Sequence, residues 1–189
     1  MEIRYFDIEG VFEIVPRIFT DSRGYFMETY NRDVFLNDGI DLTFVQDNQS
    51  FSSRNVLRGL HFQYPPYEQG KMVRVISGKA MDIALDIRPG SKTFGKYVSC
   101  ILDGETSNML YIPPGFAHGF IALTDVFLFY KCTQTYHKES ESGITWNDPD
   151  LNIDWGISTP VVSDKDRALP GFRKITDTFT RGIQSGKYY

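Results

Sequence analysis

The chain has only three histidines, and one of them, His61, sits inside Val56-Leu57-Arg58-Gly59-Leu60-His61-Phe62-Gln63. Arg58 stands just before it. Lys71 and Arg74 follow in Gln69-Gly70-Lys71-Met72-Val73-Arg74-Val75. Imidazole takes up and returns protons near neutral pH more readily than other side chains. A histidine between cations suits an anionic substrate from which a proton must be moved.

The plainer reading is a satisfied structural histidine in a strand. Its neighbours weigh against that. Arg58, Gln63 and Lys71 crowd polar groups between Val56-Leu57 and Met72-Val73, which belong in a core. Buried polar groups cost free energy unless partnered, so such clusters tend to serve a site. Simple alternation places Arg58 and His61 on opposite faces of a strand. A bulge near Gly59 would be needed to bring them together.

A metal site competes. Metal-binding double-stranded β-helix proteins offer two close histidines, a carboxylate and a later histidine. Here Gln63 occupies the place of the second histidine, and only His118 and His137 come later. A two-histidine set completed by Glu68 falls short of what a tight site prefers. Tyr130 and Tyr136 share parity with Val126, Leu128 and Cys132, which predicts one strand face for both. They are either core aromatics with hydroxyls at the rim or a proton donor and a stacking platform. Pro113-Pro114-Gly115-Phe116-Ala117-His118-Gly119-Phe120 reads as a rigid turn entering an aromatic strand. Such turns hold polar side chains well.

Strands must position these groups. Met81, Ile83, Leu85 and Ile87 alternate with Asp82, Ala84 and Asp86, predicting a half-buried strand between turns at Ser77-Gly78-Lys79 and Pro89-Gly90. Val98, Cys100 and Leu102 give another, closed by Asp103-Gly104. Three more are expected at Leu110 to Ile112, Gly119 to Leu123 and Val126 to Tyr136. Strands at this spacing suggest a sandwich or barrel. One early helix is expected, capped by Asn31, with Val34, Phe35 and Ile40 on its apolar side and Gly39 as its stop.

With 189 residues and 41% hydrophobic content, the chain reads as one domain, 1–189, carrying a wrapping C-terminal extension from about residue 150. The net charge of −4 argues against a general nucleic-acid surface, though not against a small anionic ligand held by a few local cations. The acidic first twenty residues do not read as a signal peptide. The longest strongly apolar run, about Val126 to Tyr130, is too short to span a bilayer. Cys100 and Cys132 form no CxxC pair, which fits a reduced, cytoplasmic setting.

Several segments occur together in a fixed order. They are Asp21-Ser22-Arg23-Gly24-Tyr25-Phe26, Gln46-Asp47-Asn48, Leu57 to Gln63, Gln69-Gly70-Lys71, Ile112 to Phe120, Tyr130-Lys131 and Ser163-Asp164-Lys165-Asp166. Through them the chain closely resembles the dTDP-4-dehydrorhamnose 3,5-epimerase family, over roughly residues 10 to 170. The resemblance implies an all-β fold: a cupin-type double-stranded β-helix, or jelly roll, with a few short helices. It implies a homodimer and a reaction needing no cofactor or metal. The reaction would convert dTDP-4-dehydro-6-deoxy-D-glucose to dTDP-4-dehydro-L-rhamnose.

By the same resemblance His61 is the general base, Asp166 the carboxylate that orients it, Tyr130 the acid on the other face of the sugar, and Lys71 the cation that stabilises the enolate. Arg23, Glu28, Gln46, Asn48, Arg58 and His118 fall where the family binds nucleotide and sugar. Tyr136 falls where it stacks on thymine, and Lys165 where substrate contact is expected. The loop His137 to Gly143 and the tail beyond Gly171 receive no role. The alternatives are an epimerase acting at one centre only, a metal-dependent cupin and a non-catalytic sugar-nucleotide binder.

Overall fold

The period-two patterning becomes two packed sheets. The computed structural model describes residues 1–184. In chain order it contains β1 (Glu2–Tyr5), β2 (Phe12–Val15), β3 (Phe19–Asp21), β4 (Gly24–Phe26), α1 (Arg32–Asn37), β5 (Gln46–Ser52), β6 (Val56–Gln63) and β7 (Lys71–Ser77). Then come β8 (Lys79–Asp86), β9 (Tyr97–Asp103), β10 (Met109–Ile112), β11 (Phe116–Ala122), β12 (Val126–Cys132), a 3₁₀ turn (Lys138–Ser140) and β13 (Glu141–Gly143). The chain continues through β14 (Val161–Val162), α2 (Asp164–Arg167) and α3 (Phe172–Gln184).

One sheet has the order β1-β2-β10-β7-β12-β5, the other β13-β6-β11-β8-β9, with β14 parallel to β6. The hairpin β3-β4 stands apart from both. The architecture is all-β, a jelly roll with few short helices, as expected.

The inter-sheet core joins Val73, Val75, Leu110, Ile112, Val126 and Leu128 of the first sheet to Ala84, Val98, Leu102, Phe116 and Phe120 of the second. The opposite face of the second sheet is covered as well. There Leu57, Ile83, Leu85 and Ile121 pack with Ile144, Leu151, Trp155, Val162 and Ile175 from the C-terminal segment. This corrects the expected half-buried strand. β8 is buried on both faces, and Asp82 and Asp86 lie inside. Asp86 is satisfied by Arg88, Ser91 and Thr93, while Asp82 meets His118 through Oδ2 and leaves its buried Oδ1 without a hydrogen-bond partner among the described residues.

The early helix forms where its signals place it. The Asn31 side chain accepts from the Asp33 and Val34 amides, Phe35 is buried, and Gly39 leaves the helix at φ +81°. The expected long strand from Val126 to Tyr136 is shorter and ends at Cys132, so Tyr136 follows it in a loop.

The feature that most affects the site is a bulge in β6. His61 pairs with His118 and Arg58 with Phe120, so Gly59 and Leu60 together oppose Gly119. The extra residue resets the alternation. Leu57 and Leu60 face the outer core, while Arg58 and His61 both line the space between the sheets. Gly59 adopts φ +116°, and a Cβ there would sit 2.5 Å from Gly119 Cα and 2.7 Å from the His118 carbonyl oxygen. Gly59→Ala is therefore expected to destabilise the fold by about 2–4 kcal/mol through backbone strain and backbone collision. Denaturant unfolding checks this; a loss under about 0.5 kcal/mol, the level of an ordinary surface change, would contradict it.

Candidate active site

Two lobes of one cavity open between the sheets, of about 310 and 180 Å³. His61, Lys71 and Tyr130 line both lobes. Gln46, Asn48, Gln69, Tyr136 and Glu141 line the larger one; Ser50, Arg58, His118 and Phe120 line the smaller. The combined space suits a small ligand. A separate cavity under the β3-β4 hairpin, lined by Ile14, Val34, Phe35 and Met109, lacks such a group of titratable side chains.

His61 projects from the second sheet. Its Nε2 lies 2.7 Å from Oδ1 of Asp166, which α2 presents and the Ser163 side chain caps. The second Asp166 oxygen accepts the Gly59 amide at 3.2 Å. Burial pushes the Asp166 carboxyl up, but His61, the Gly59 amide and Lys165 outweigh it and hold the group below its usual range. A carboxylate can only accept, so Nε2 carries a proton, and in the neutral ring Nδ1 is the atom with a free lone pair. Side-chain exposure is 30% for His61 and 5% for Asp166, so the imidazole is open to a ligand and its carboxylate partner is not.

Lys71 and Tyr130 come from the first sheet, on the adjacent strands β7 and β12. The Lys71 ammonium lies 5.8 Å from the centre of the Tyr130 ring. Burial drives the Lys71 pKa down, against the pull of Cys132, Asp82 and Glu141. Burial likewise raises the Tyr130 hydroxyl, keeping it protonated and able to donate. His61 and Tyr130 thus stand on opposite sheets with the cavity between them.

His118 is buried beside His61, and its Nε2 meets Asp82 Oδ2 at 2.9 Å. Burial lowers the His118 pKa, opposed by Asp82 and reinforced by Lys71 and His61. Arg58 is tied by Nε to Ser52 Oγ at 2.9 Å and by Nη2 to the Phe51 carbonyl at 3.0 Å, so its charge is held at the smaller lobe. Asn48 accepts from Gln46 at 3.0 Å, which fixes both amides at the wall. Tyr136 is 53% exposed at the mouth.

Two expected substrate contacts stand elsewhere in the single chain. Arg23 sits on the exposed β3-β4 hairpin, paired with Asp21 at 2.6 Å. Glu28 accepts from Asn31 at 2.8 Å and lines the separate cavity. The hairpin carries Arg23 away from His61 because neither of its strands joins a large sheet, and Glu28 follows just after it in the chain. Lys165 does not line the cavity itself but reaches its edge through Glu141, at 2.7 Å.

Glu141 was given no role from the sequence. One of its oxygens accepts from Lys165 and the other from the Tyr136 hydroxyl at 2.9 Å. Burial raises its pKa, but Lys165, Tyr136 and the nearby His61 outweigh that and lower it. It is a fixed negative charge on the rim. Asp82 was also missed, although an aspartate in phase with Ala84 on so apolar a strand signals a buried partner. Among the described residues no three His, Cys, Asp or Glu side chains gather as a metal-sized cluster. His118 is engaged by Asp82, and His137 stacks on Tyr67 with ring centres 3.7 Å apart.

Fold and cavity together give a cupin-type jelly roll in which a histidine bonded to a carboxylate faces a buried lysine and a half-buried tyrosine. The family profile described as dTDP-4-dehydrorhamnose 3,5-epimerase matches residues 5–174, and the chain belongs to this family. The enzyme of that name from Methanothermobacter thermautotrophicus is 49% identical over 164 residues, covering 85% of this chain and 88% of its own. The dTDP-6-deoxy-D-glucose-3,5-epimerase of Legionella pneumophila, solved in complex with dTDP-4-keto-L-rhamnose, superposes with TM-score 0.89 at 43% identity, covering 94% of this chain and 95% of its own. A 3'-monoepimerase of Streptomyces bikiniensis, solved with dTDP-quinovose, gives TM-score 0.87 at 30% identity, covering 97% and 96%.

Proposed function

We propose that the protein converts dTDP-4-dehydro-6-deoxy-D-glucose to dTDP-4-dehydro-L-rhamnose by inverting C3 and C5, a step in dTDP-L-rhamnose biosynthesis. The placement of His61 and Tyr130 on opposite walls of one cavity carries this reading. The C4 ketone acidifies the hydrogens at C3 and C5. His61 removes one, its tautomer set by Asp166. The electrons move onto the C4 oxygen, and the Lys71 ammonium stabilises that charge where water is excluded. Tyr130 returns a proton to the opposite face, and the centre inverts. The side chains supply base, acid and countercharge, so the reaction calls for no metal or nicotinamide.

Arg58, His118, Gln46 and Asn48 hold the sugar and diphosphate. Tyr136 stacks on thymine, and Lys165 with Glu141 closes the rim. Arg23 and Glu28 enter through a homodimer. The β3-β4 hairpin exposes Phe19, Tyr25 and Phe26, and the outer face of the first sheet exposes Phe51, Ile76 and Phe127. A second copy covering these apolar groups would bring the hairpin's polar residues to its neighbour's cavity. Both cysteines are free and buried, and no described helix is long and apolar enough to cross a membrane. A reducing, cytoplasmic setting and a single domain complete the reading.

Incubating enzyme and 4-keto sugar nucleotide in D₂O tests it. Deuterium is expected at both C3 and C5. Exchange at neither sinks the reading. Exchange at C3 alone selects single-centre epimerisation, which the likeness to a 3'-monoepimerase keeps as the second reading.

A further inference from the structure

Tyr136 reaches the mouth of the cavity on a segment that no strand holds. β12 ends at Cys132, and residues 133–137 lie outside both sheets. Their backbone groups still need partners. Side-chain amides from the surrounding elements supply several of them. Gln69 Nε2 donates to the Gln134 carbonyl at 2.8 Å, and Gln46 Oε1 accepts the Tyr136 amide at 2.8 Å. Gln63, the last residue of β6, contributes more. Its Nε2 donates to the Tyr67 carbonyl at 2.5 Å and to the Thr135 carbonyl at 3.3 Å, while its Oε1 accepts the His137 amide at 2.7 Å. Gln63 therefore grips the residues on both sides of Tyr136. The Tyr67 carbonyl that it also binds belongs to the residue whose ring stacks on His137, with planes 3° apart.

We infer that Gln63 is a positioning residue: it presets Tyr136 for the nucleotide base, and so governs affinity for the dTDP part of the substrate rather than the rate of proton transfer. The inference rests on the reading of Tyr136 as the base platform. Gln63 stands in the wall of the larger lobe, but it is buried and both its amide hydrogens are engaged within the protein, so it acts chiefly through the segment it holds. A segment ordered before binding loses less conformational freedom when the base arrives. A carboxamide carries two N–H donors and a separate acceptor oxygen, the set these three contacts use. Glutamate at 63 would lose the donors, leucine would lose both functions, and the imidazole of a metal-binding cupin could not make all three contacts.

Calorimetric titration of the full-length protein with dTDP tests this through a double-mutant cycle. Gln63→Leu and Gln63→Glu are each expected to weaken binding about 5- to 30-fold, the loss of one or two hydrogen bonds. Tyr136→Ala should weaken it about 10-fold or more, the loss of one stacked base. In the Tyr136→Ala background, Gln63→Leu should add less than about 2-fold, because coupled residues are non-additive. At saturating substrate, kcat of Gln63→Leu should stay within about 3-fold of wild type, as for a loss of uniform binding.

The Tyr136 amide, which Gln46 and not Gln63 holds, should exchange hydrogen faster in Gln63→Leu if the segment loosens. Thermal unfolding confirms that each variant is folded, and Gln63→Glu carries the test if Gln63→Leu is not. Additive losses in the cycle, or undiminished binding by Gln63→Leu when Tyr136→Ala is weakened, overturn the inference. Undiminished binding by Tyr136→Ala overturns the platform reading instead, and unchanged exchange at the Tyr136 amide then overturns the positioning as well.

Discussion

His61→Ala is expected to fold and to lose about 10³-fold or more in turnover, within the range for a positioned proton-transfer group acting on a weak carbon acid. The side chain lies at the cavity wall, and its removal leaves the outer core of Leu57, Leu60 and Ile83 intact. The cost falls on Asp166. It keeps the Gly59 amide but loses its 2.7 Å partner, and a buried acceptor left short of a donor costs about 1–3 kcal/mol. The variant should therefore unfold somewhat earlier yet cooperatively. Deuterium incorporation followed by NMR separates the two carbons. A single base makes exchange at C3 and C5 fall together. Loss at one carbon only would assign the other to a different group, and retained exchange at both would remove His61 from the chemistry.

Lys71→Met separates function from stability in the opposite sense. The lysine is buried, and keeping an ammonium out of water is costly. Methionine has a similar length and no charge. The substitution should leave the melting temperature unchanged or raise it. Turnover should fall about 10²–10³-fold, the usual loss when a preorganised group facing a developing oxyanion is removed. Parallel measurement of kcat and thermal unfolding checks both halves. A variant that keeps its activity would show that the enolate is stabilised elsewhere. One that loses stability along with activity would make Lys71 a structural residue, held in place by its neighbours Cys132 and Asp82.

Much of the fold was legible because local chemistry and global packing agree. Asn31 and Gly39 delimit the early helix by backbone rules that need no tertiary context. The alternation through Val98, Cys100 and Leu102 gives a strand for the same reason. His61 stood out by its company of cations, and its pairing with Asp166 followed from family likeness, not from any local pattern. The less legible parts depend on register. Nothing local to Arg58-Gly59-Leu60-His61 fixes how many residues face Gly119, so the bulge could be required but not read. Asp82 meets His118 because of where β8 and β11 align. Glu141 belongs to a short strand that is defined only by its pairing with the end of β6, from His61 to Gln63. β8 was read as half-buried because its outer cover arrives from Leu151, Trp155 and Val162, far along the chain.

The path by which Asp166 arrives sets a rule for the timing of activity. His61 and its carboxylate are 105 residues apart, and the segment that delivers Asp166 also seals the outer face of the second sheet. On a ribosome, the base emerges long before the group that orients it. The nascent chain can pair its early strands, but the base stays unoriented until the C-terminal segment docks. If His61 is the base, completion of the core and orientation of the base coincide. A partly made or clipped chain that lacks the segment is then expected to turn over far more slowly than the whole one.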